Sequence, residues 1–286
     1  MTYSIVAQDQ ETGALGVGVQ THQPAVGAIV PWVKFGVGAV ATQSFANINF
    51  GPQGLALLEA GLEANRALLA IIAGDNLEHR RQVAVIDNAG SAAVHTGSDC
   101  IPFASHVIGA GFSTQANMMT SEGVPEAMAQ AFTAAKGPLA ARIMAALDAG
   151  QAAGGDIRGS QSAAILVREP GELSSTWDLR IDNSRTPLEE LRTLINIRLA
   201  GQMIAHQIAD DTMLEVAMAV YREATRLYPS DEQTFWFAVD TLMKLGHEAE
   251  AIDMLEILFL RAPQWRDLLL RLTMPGALAL KPRFER

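Results

Sequence analysis

Cysteine is nearly absent from this sequence, which contains a single one, Cys100. One cysteine cannot form an internal disulfide, and no Cys-x-x-Cys pair is present to bind zinc. The six histidines are scattered and show neither HExxH nor His-x-His spacing, so the sequence predicts no metal site. No glycine-rich segment is followed by Gly-Lys-Ser/Thr, so a phosphate loop is not predicted and no cofactor is expected. We interpret Cys100 as a small buried apolar residue rather than a nucleophile.

Positive charge and long apolar runs are also scarce. The 21 Lys and Arg residues are outnumbered by 31 Asp and Glu, which gives a net charge of −10 and a pI near 5.1. Because an acidic protein repels phosphate backbones and anionic lipid surfaces, nucleic acid and membranes are not expected partners. No apolar run reaches the roughly 20 residues that span a bilayer. The N-terminus has no basic segment before an apolar run, as a signal peptide would, so we expect a cytoplasmic protein.

Small and apolar residues are abundant, and their periodicity outlines the fold of the first two thirds of the chain. Alternating apolar positions predict strands over 3–7, 14–20, 25–30, 36–45, 82–87, 91–96, 107–117, 161–168 and 175–181. Helical spacing predicts helices over 53–73, 124–135, 138–149 and 187–199. Short turns such as Asn88-Ala89-Gly90 indicate antiparallel hairpins rather than βαβ units. The sequence therefore predicts an α+β fold with antiparallel sheets.

One predicted strand, residues 14–20, has glycine on one of its faces. Leu15 and Val17 lie on one side of this strand, and Gly16 and Gly18 lie on the other. A face without side chains allows either a second layer or a ligand to approach the backbone closely. The pattern alone leaves both alternatives open.

The last third of the chain differs from the rest because strand signals end near residue 202. We place a domain boundary between residues 203 and 204, which gives domains 1–203 and 204–286. The tail resembles tetratricopeptide repeats over about one and a half units, since Pro229 and Pro263 lie 34 residues apart. The pattern predicts an apolar interior of Ala217, Tyr221, Ala224, Trp236, Ala238, Ala251 and Leu255. Since so few repeats need a neighbour, we expect docking on the first domain, a homodimer or a protein partner.

Thr2 is the first candidate nucleophile. Removal of Met1 would leave a hydroxyl and a free α-amine on one residue, and an amine whose pKa is near 8 in short peptides can act as the general base. No His–Asp pair is evident beside any Ser or Thr to take that role. Ser4 is the second candidate because it lies on the same strand face. The alternative is that Thr2 is an ordinary second residue that begins a strand.

Residues 154–162, with the sequence GGDIRGSQS, concentrate glycine with polar and charged groups just before an apolar strand. Arg158 would bind a substrate carboxylate through two hydrogen bonds, while Asp156 would orient it or an incoming amine. Gln161 and Ser162 would add further contacts to the substrate. The alternative is a surface turn that contains a structural Asp–Arg pair.

Amide side chains follow two of the predicted strands. Gln43 and Asn47 precede a helix that opens at Gly51-Pro52, and Gln115 with Asn117 ends another strand. Amide donors in such positions suit binding of an oxyanion or of a carboxylate. Each residue on its own is more often part of a turn.

These segments together resemble the DUF1028 family. The matching stretches are residues 2–7, 36–43, Asn47 with Gly51-Pro52, 100–102, 115–118 and 154–162. They occur in the expected order over residues 2 to about 198. The resemblance implies a four-layer α-β-β-α sandwich of the Ntn-hydrolase type, and by analogy of fold a hydrolase of an amide or related C–N bond in a small molecule.

Two functions follow as expectations. In the first, Thr2 is the nucleophile, its α-amine is the base, and Gln43, Asn47 or Asn117 stabilises the oxyanion. In the second, the protein kept the sandwich without catalysis and binds a ligand or a protein partner. Loss of Met1 from the purified protein favours the enzyme, and its retention favours the binding protein.

Overall fold

The computed structural model describes residues 2–171, 176–205, 216, 219, 232–244, 246–273 and 275–284. Internal contacts divide the chain into two units, Met1–Arg192 and Thr193–Arg286. The division falls inside one helix, Pro187–Ala205, which also contains the predicted boundary after residue 203. The division therefore lies within a helix and not in a linker, and no linker signal in the sequence marks it.

In the described part of the first unit there are ten strands, arranged in two antiparallel sheets. In chain order they are β1 (Thr2–Gln8), β2 (Leu15–Thr21), β3 (Pro31–Lys34), β4 (Gly38–Ser44), β5 (Arg81–Asp87), β6 (Ala92–Thr96), β7 (Ser105–Gly109), β8 (Phe112–Asn117), β9 (Ser162–Arg168) and β10 (Thr176–Ile181). The six-stranded sheet has the order β10-β9-β2-β1-β8-β7, and the four-stranded sheet has the order β3-β4-β5-β6. The predicted mixture of helices with antiparallel sheets is confirmed.

Two of the predicted strands are wrong in detail. Residues Val26–Ala28 form a short 3₁₀ helix instead of a strand, because Ala25 adopts a left-handed backbone at φ 57 and turns the chain. The predicted strand over 107–117 is a hairpin, since Gly111 takes a positive φ of 77 between β7 and β8. An apolar run is compatible with each of these local conformations.

Helices cover the outer faces of both sheets. They are α1 (Phe50–Glu59), α2 (Ala64–Ile72), α3 (Val124–Ala134) and α4 (Leu139–Ala152). Helix α5 (Pro187–Ala205) follows the last strand. The sequence predicted one helix over 53–73, but the helix is interrupted at Gly61, which has a left-handed backbone with φ of +92. Helices α1 and α2 share an apolar cluster with Val40 and Val85 of the four-stranded sheet. Helices α3 and α4 contact the six-stranded sheet.

Alternation along the strands decides which side chains lie between the two sheets. Val6, Val17 and Val19 of the six-stranded sheet pack against Ala41 and Ile86 of the four-stranded sheet. The glycine face of β2 is turned the other way. A Cβ at Gly18 would lie 2.3 Å from a methyl of Ile143 in α4, so this face admits a helix layer rather than a ligand.

Substituting Gly18→Ala should therefore destabilise the first unit. The added methyl would overlap Ile143, and overpacking of this kind costs about 1–3 kcal/mol of unfolding free energy. Urea denaturation measures the loss. The double variant Gly18→Ala/Ile143→Ala should lose less than the sum of the two single changes, because the second substitution removes the overlapping methyl. Strict additivity would contradict this account of the glycine face.

The second unit contains helices α6 (Glu232–Lys244), α7 (Glu248–Arg261), α8 (Gln264–Arg271) and α9 (Pro275–Phe284). Of the predicted interior, Ala238, Ala251 and Leu255 are buried and Trp236 packs against the same cluster. Ala217, Tyr221 and Ala224 lie outside the described residues. The helical character of the tail is confirmed over the described part, and its likeness to tetratricopeptide repeats stays a prediction. No helix among the described residues is long and apolar enough to cross a membrane.

Candidate functional site

The layer between the two sheets is apolar at one end and polar at the other. The strand face that carries Val6 also carries Ser4 and Thr2, so the polar residues follow from the same alternation. The polar end is buried almost completely, with every side chain at most 5% exposed, and consists of Thr2, Ser4, Gln43, Gln82, Ser113, Gln115 and Asn117. Such a buried cluster is stable only when its members satisfy one another.

Gln82 fixes the orientation of the amides in this cluster. Its Nε2 donates to the Thr96 hydroxyl and to the main-chain oxygens of Ser105 and Ala116, at 2.9 to 3.2 Å. An amide nitrogen beside three acceptors cannot be exchanged with its oxygen, so Oε1 faces the centre of the cluster. There Oε1 accepts from Gln43 Nε2 at 2.7 Å and from Asn117 Nδ2 at 2.9 Å.

Ser4 is enclosed by the same network. Its hydroxyl donates to Gln43 Oε1 at 2.6 Å and accepts from Gln115 Nε2 at 2.6 Å. Gln115 Oε1 in turn accepts from the Ser113 hydroxyl at 3.1 Å. Because Ser4 is fully buried and its only hydroxyl proton is used, the structure gives it a part in the network rather than an approach to a substrate.

Thr2 lies at the edge of the network. Its main-chain oxygen accepts from Gln43 Nε2 and from Asn117 Nδ2, each at 3.3 Å. Its hydroxyl donates to the Thr21 hydroxyl on β2 at 3.1 Å. The amides thus hold the backbone of Thr2, while its side chain lines a pocket.

The pocket beside Thr2 has a volume of about 250 Å³. Its lining residues with polar side chains are Thr2, Gln43, Gln23 and Ser44, and the remaining wall consists of Val26, Ile29, Val30, Ala46 and Ile48. None of these lining residues is charged. A small cavity with an apolar wall and a few polar groups has the general form of a small-molecule site.

Unusual backbone conformations occur beside this pocket and beside the amide cluster. In the described part of the chain, the non-glycine residues with positive φ are Ala25, Ser44 and Met118, at 57, 66 and 58. Ser44 follows Gln43 and lines the pocket, Met118 follows Asn117, and Ala25 precedes Val26 of the apolar wall. Left-handed residues without glycine cost about 1–3 kcal/mol each and cluster at functional sites, which supports this pocket as the candidate site.

Asp156 and Arg158 are paired with each other. The Asp156 carboxylate is 2% exposed and accepts from Arg158 Nε at 3.0 Å and from Arg158 Nη2 at 2.7 Å. It also accepts from the main-chain nitrogen of His22 at 3.0 Å. Neither residue lines the pocket beside Thr2. Asp156 instead anchors the beginning of the segment that continues into the apolar wall.

Ser162 anchors the same segment. Its hydroxyl donates to the main-chain oxygen of Gln23 at 2.5 Å and accepts from the main-chain nitrogen of Val26 at 3.2 Å. The side chain is fully buried behind the pocket wall. Ser162 and Asp156 therefore position residues 22–26 without reaching the pocket themselves.

Replacing Arg158 tests whether it serves the substrate or the fold. Arg158→Ala leaves a buried carboxylate with main-chain donors alone, and we expect a loss of about 2 kcal/mol in unfolding free energy. Chemical denaturation measures this loss. Arg180→Ala, which breaks a partly exposed pair with Asp178 at 2.6 Å, is the matched control and should cost under about 0.5 kcal/mol. Equal stability of both variants would contradict the structural role.

The two remaining predicted site residues lie apart from the pocket. Asn47 belongs to the turn after β4, where its Oδ1 accepts from the main-chain nitrogen of Asn49 at 3.2 Å. Gln161 donates to Asn183 Oδ1 at 2.9 Å near the surface. Neither is part of the buried amide cluster or of the pocket lining. Asn47 thus acts in a turn, the alternative that the sequence left open for it, whereas the main chain of Gln161 bonds to Thr21 and Ser184 just before β9.

Sequence reasoning missed Gln82, Thr21 and Tyr3. Gln82 is the second residue of β5 and Thr21 ends β2, and each faces the other sheet by alternation. Tyr3 is fully buried on the opposite face of β1, where its hydroxyl donates to Gln151 Oε1 at 3.3 Å. Burial raises the pKa of Tyr3 well above its usual value, and the carboxylates of Asp148 and Asp156 raise it further. The phenol is therefore a neutral donor.

The described lining of this pocket contains no thiol and no His, Asp or Glu side chain. Burial raises the pKa of the Cys100 thiol, which donates to the main-chain oxygen of Arg81 at 3.3 Å. A buried thiol with a raised pKa is a poor nucleophile. Within the described ranges, no group of three or more His, Cys, Asp or Glu residues is arranged to hold a metal ion.

Comparisons with known proteins agree on one family. Residues 2–191 match DUF1028, which is described as a family of unknown function. The crystal structure of protein SPO2555 from Silicibacter pomeroyi, of the same family, is 33% identical with a TM-score of 0.64. The match covers 68% of this chain and 84% of that one. No curated protein is significantly similar to the chain. The chain therefore belongs to the DUF1028 family.

Proposed function

We propose that the protein hydrolyses an amide or related C–N bond in a small metabolite, with Thr2 as the nucleophile. We further propose that its first unit is a four-layer α-β-β-α sandwich of the Ntn-hydrolase type, formed by α1 and α2, the two sheets, and α3 and α4. One observation carries the proposal. Thr2 begins the inner strand β1 with its side chain on an uncharged pocket, and two amides hold its main-chain oxygen.

The reaction begins after removal of Met1. The neutral α-amine of Thr2 takes the hydroxyl proton as Oγ attacks the substrate carbonyl carbon, which forms a tetrahedral oxyanion. The oxyanion collapses, the C–N bond breaks, and the α-ammonium returns the proton to the departing amine. Water, deprotonated by the same α-amine, then attacks the ester carbon. The bond from this carbon to Thr2 Oγ breaks, the α-ammonium returns the proton to Oγ, and the acid is released.

The amides have distinct roles in this scheme. Gln43 Nε2 bonds firmly to Gln82 Oε1 at 2.7 Å, and its contacts to two main-chain oxygens are longer, at 3.3 Å each. The hydrogen shared by the two longer contacts is the less strongly bound of the two, and we assign it as the donor to an oxyanion in the pocket. Asn117 Nδ2 is already used, whereas its Oδ1 is buried and has no partner among the described residues. Asn117 Oδ1 is thus suited to accept a hydrogen from the α-ammonium.

Intact mass and turnover measured on one preparation test the proposal. We expect a mass that lacks Met1 together with hydrolysis of at least one member of a panel of small amides, ureas and lactams. Hydrolysis by protein that retains Met1 would rule out the α-amine as the base. Binding of panel members without hydrolysis by the processed protein would favour the alternative, a ligand-binding protein that kept the fold.

A further inference from the structure

The pocket beside Thr2 is divided into a polar end and an apolar wall. Thr2 and Gln43 form the polar end with neutral hydroxyl and amide groups. The apolar wall is supplied mainly by Val26, Val30 and Ile48. Val26 and Val30 are each 3% exposed, so this wall is built into the protein core, whereas Ile48 is 47% exposed and lies at the rim.

Asp156 and Arg81, two charged residues close to the pocket, each bond to an oppositely charged side chain outside the lining. Asp156 accepts two hydrogen bonds from the Arg158 side chain. Arg81, which pairs with Ser44 across β4 and β5, forms a salt bridge with Asp75 at 2.7 Å. The described lining has no charged side chain, and the α-amine of Thr2 must be neutral to act as the proposed base. A carboxylate or ammonium in the pocket would then lose its water without compensation.

The size of the pocket restricts the substrate further. A volume of about 250 Å³ lies below the range of about 300–1,000 Å³ that holds drug-sized ligands. The apolar wall is formed by branched aliphatic side chains with no aromatic ring among them. A short branched aliphatic group matches this wall in size and polarity.

We infer that the pocket selects a small uncharged amide that carries a branched aliphatic group, and that it rejects carboxylate-bearing analogues. The choice of an amide rests on the proposed function, whereas the selection against charge rests on the lining alone. Arg158 and Asp156, which the sequence suggested as contacts for charged substrate groups, have no part in this selectivity.

Two isosteric compounds test the inference by binding alone. Isovaleramide and malonamate share the CH₂–CO–NH₂ group, and the isopropyl group of the first is replaced by a carboxylate in the second. Their dissociation constants are measured on the full-length Thr2→Ala variant, which does not consume bound amide. The measurement is made at about pH 9.5, well above the ordinary α-amine pKa of about 8, so that the N-terminal amine is neutral. We expect isovaleramide to bind at least about tenfold more tightly than malonamate.

A lysine at the rim should reverse this preference. Ile48→Lys, added to the same variant, places an ammonium at the pocket and should shift the ratio by about tenfold toward malonamate. Ile108→Lys is the matched control, because Ile108 is 50% exposed and lies on β7 outside the lining. This control should leave both dissociation constants unchanged.

The outcomes separate the inference from the proposed function. Tighter or equal binding of malonamate, binding of neither compound, or a preference that Ile48→Lys does not alter would overturn the inference. The expected preference in a protein whose unsubstituted form hydrolyses no amide would support the inference and reject the hydrolase.

Discussion

Thr2→Ala should abolish hydrolysis of any amide that the protein turns over, with a loss of about 10³-fold or more in kcat. Among the described residues that line the pocket, Thr2 and Ser44 carry hydroxyl groups. Thr2 differs from Ser44 because removal of Met1 would give it a free α-amine beside its hydroxyl. Thr2→Ser keeps a hydroxyl and should retain measurable turnover. Steady-state kinetics on the three proteins, with circular dichroism to verify the fold, measures the effect.

An N-terminal extension provides the control for the α-amine. A non-cleavable residue ahead of Thr2 leaves the hydroxyl in place and converts the amine into an amide, which cannot act as a base. We expect this extended protein to be as inactive as Thr2→Ala. Full activity of the extended protein would exclude Thr2 and transfer the search to Ser4, Ser162 and Cys100, all of which are buried in the described structure.

The sequence was most informative where neighbouring residues decide the outcome. The hairpin of β5 and β6 follows from alternation and from the turn at residues 88–90, so its boundaries agree with the prediction to within one residue. Alternation also placed Thr2 and Ser4 on one face. The glycine face of β2 was recognised, but whether a helix or a ligand covers it depends on Ile143, which is distant in the chain.

The amide cluster could be predicted only in part, because its geometry depends on the pairing of two sheets. Gln43 and Asn117 stand out as amides at strand ends, whereas Gln82 at the start of β5 resembles any other polar strand residue. Its central role arises from three acceptors on β6, β7 and β8. For the loop over 154–162 the sequence left two alternatives, a substrate contact and a structural Asp–Arg pair, and it could not decide between them. The structure shows Asp156 and Arg158 paired with each other.

Gln82→Leu should cause the second-largest loss, in stability and in activity together. The substitution keeps the approximate volume but removes the acceptor for Gln43 Nε2 and Asn117 Nδ2, and the donor for three oxygens. A buried group left without a partner costs about 1–3 kcal/mol, so we expect a loss of about 3 kcal/mol or more in unfolding free energy. Urea denaturation measures it, and Gln53→Leu on the exposed face of α1 is the matched control, expected within about 0.5 kcal/mol of the unsubstituted protein.

The effect of Gln82→Leu on turnover distinguishes a positioning role from a purely structural one. Gln43 and Asn117 hold the main-chain oxygen of Thr2, and Gln82 fixes the orientation of both amides. Without Gln82 the amides can rotate, so the α-amine and hydroxyl of Thr2 lose their alignment to the substrate. We expect kcat to fall at least about tenfold under conditions where the variant is fully folded, with a smaller change in KM because the apolar wall is intact. An unchanged kcat in the folded variant would show that the amide network supports the sheets but not the reaction.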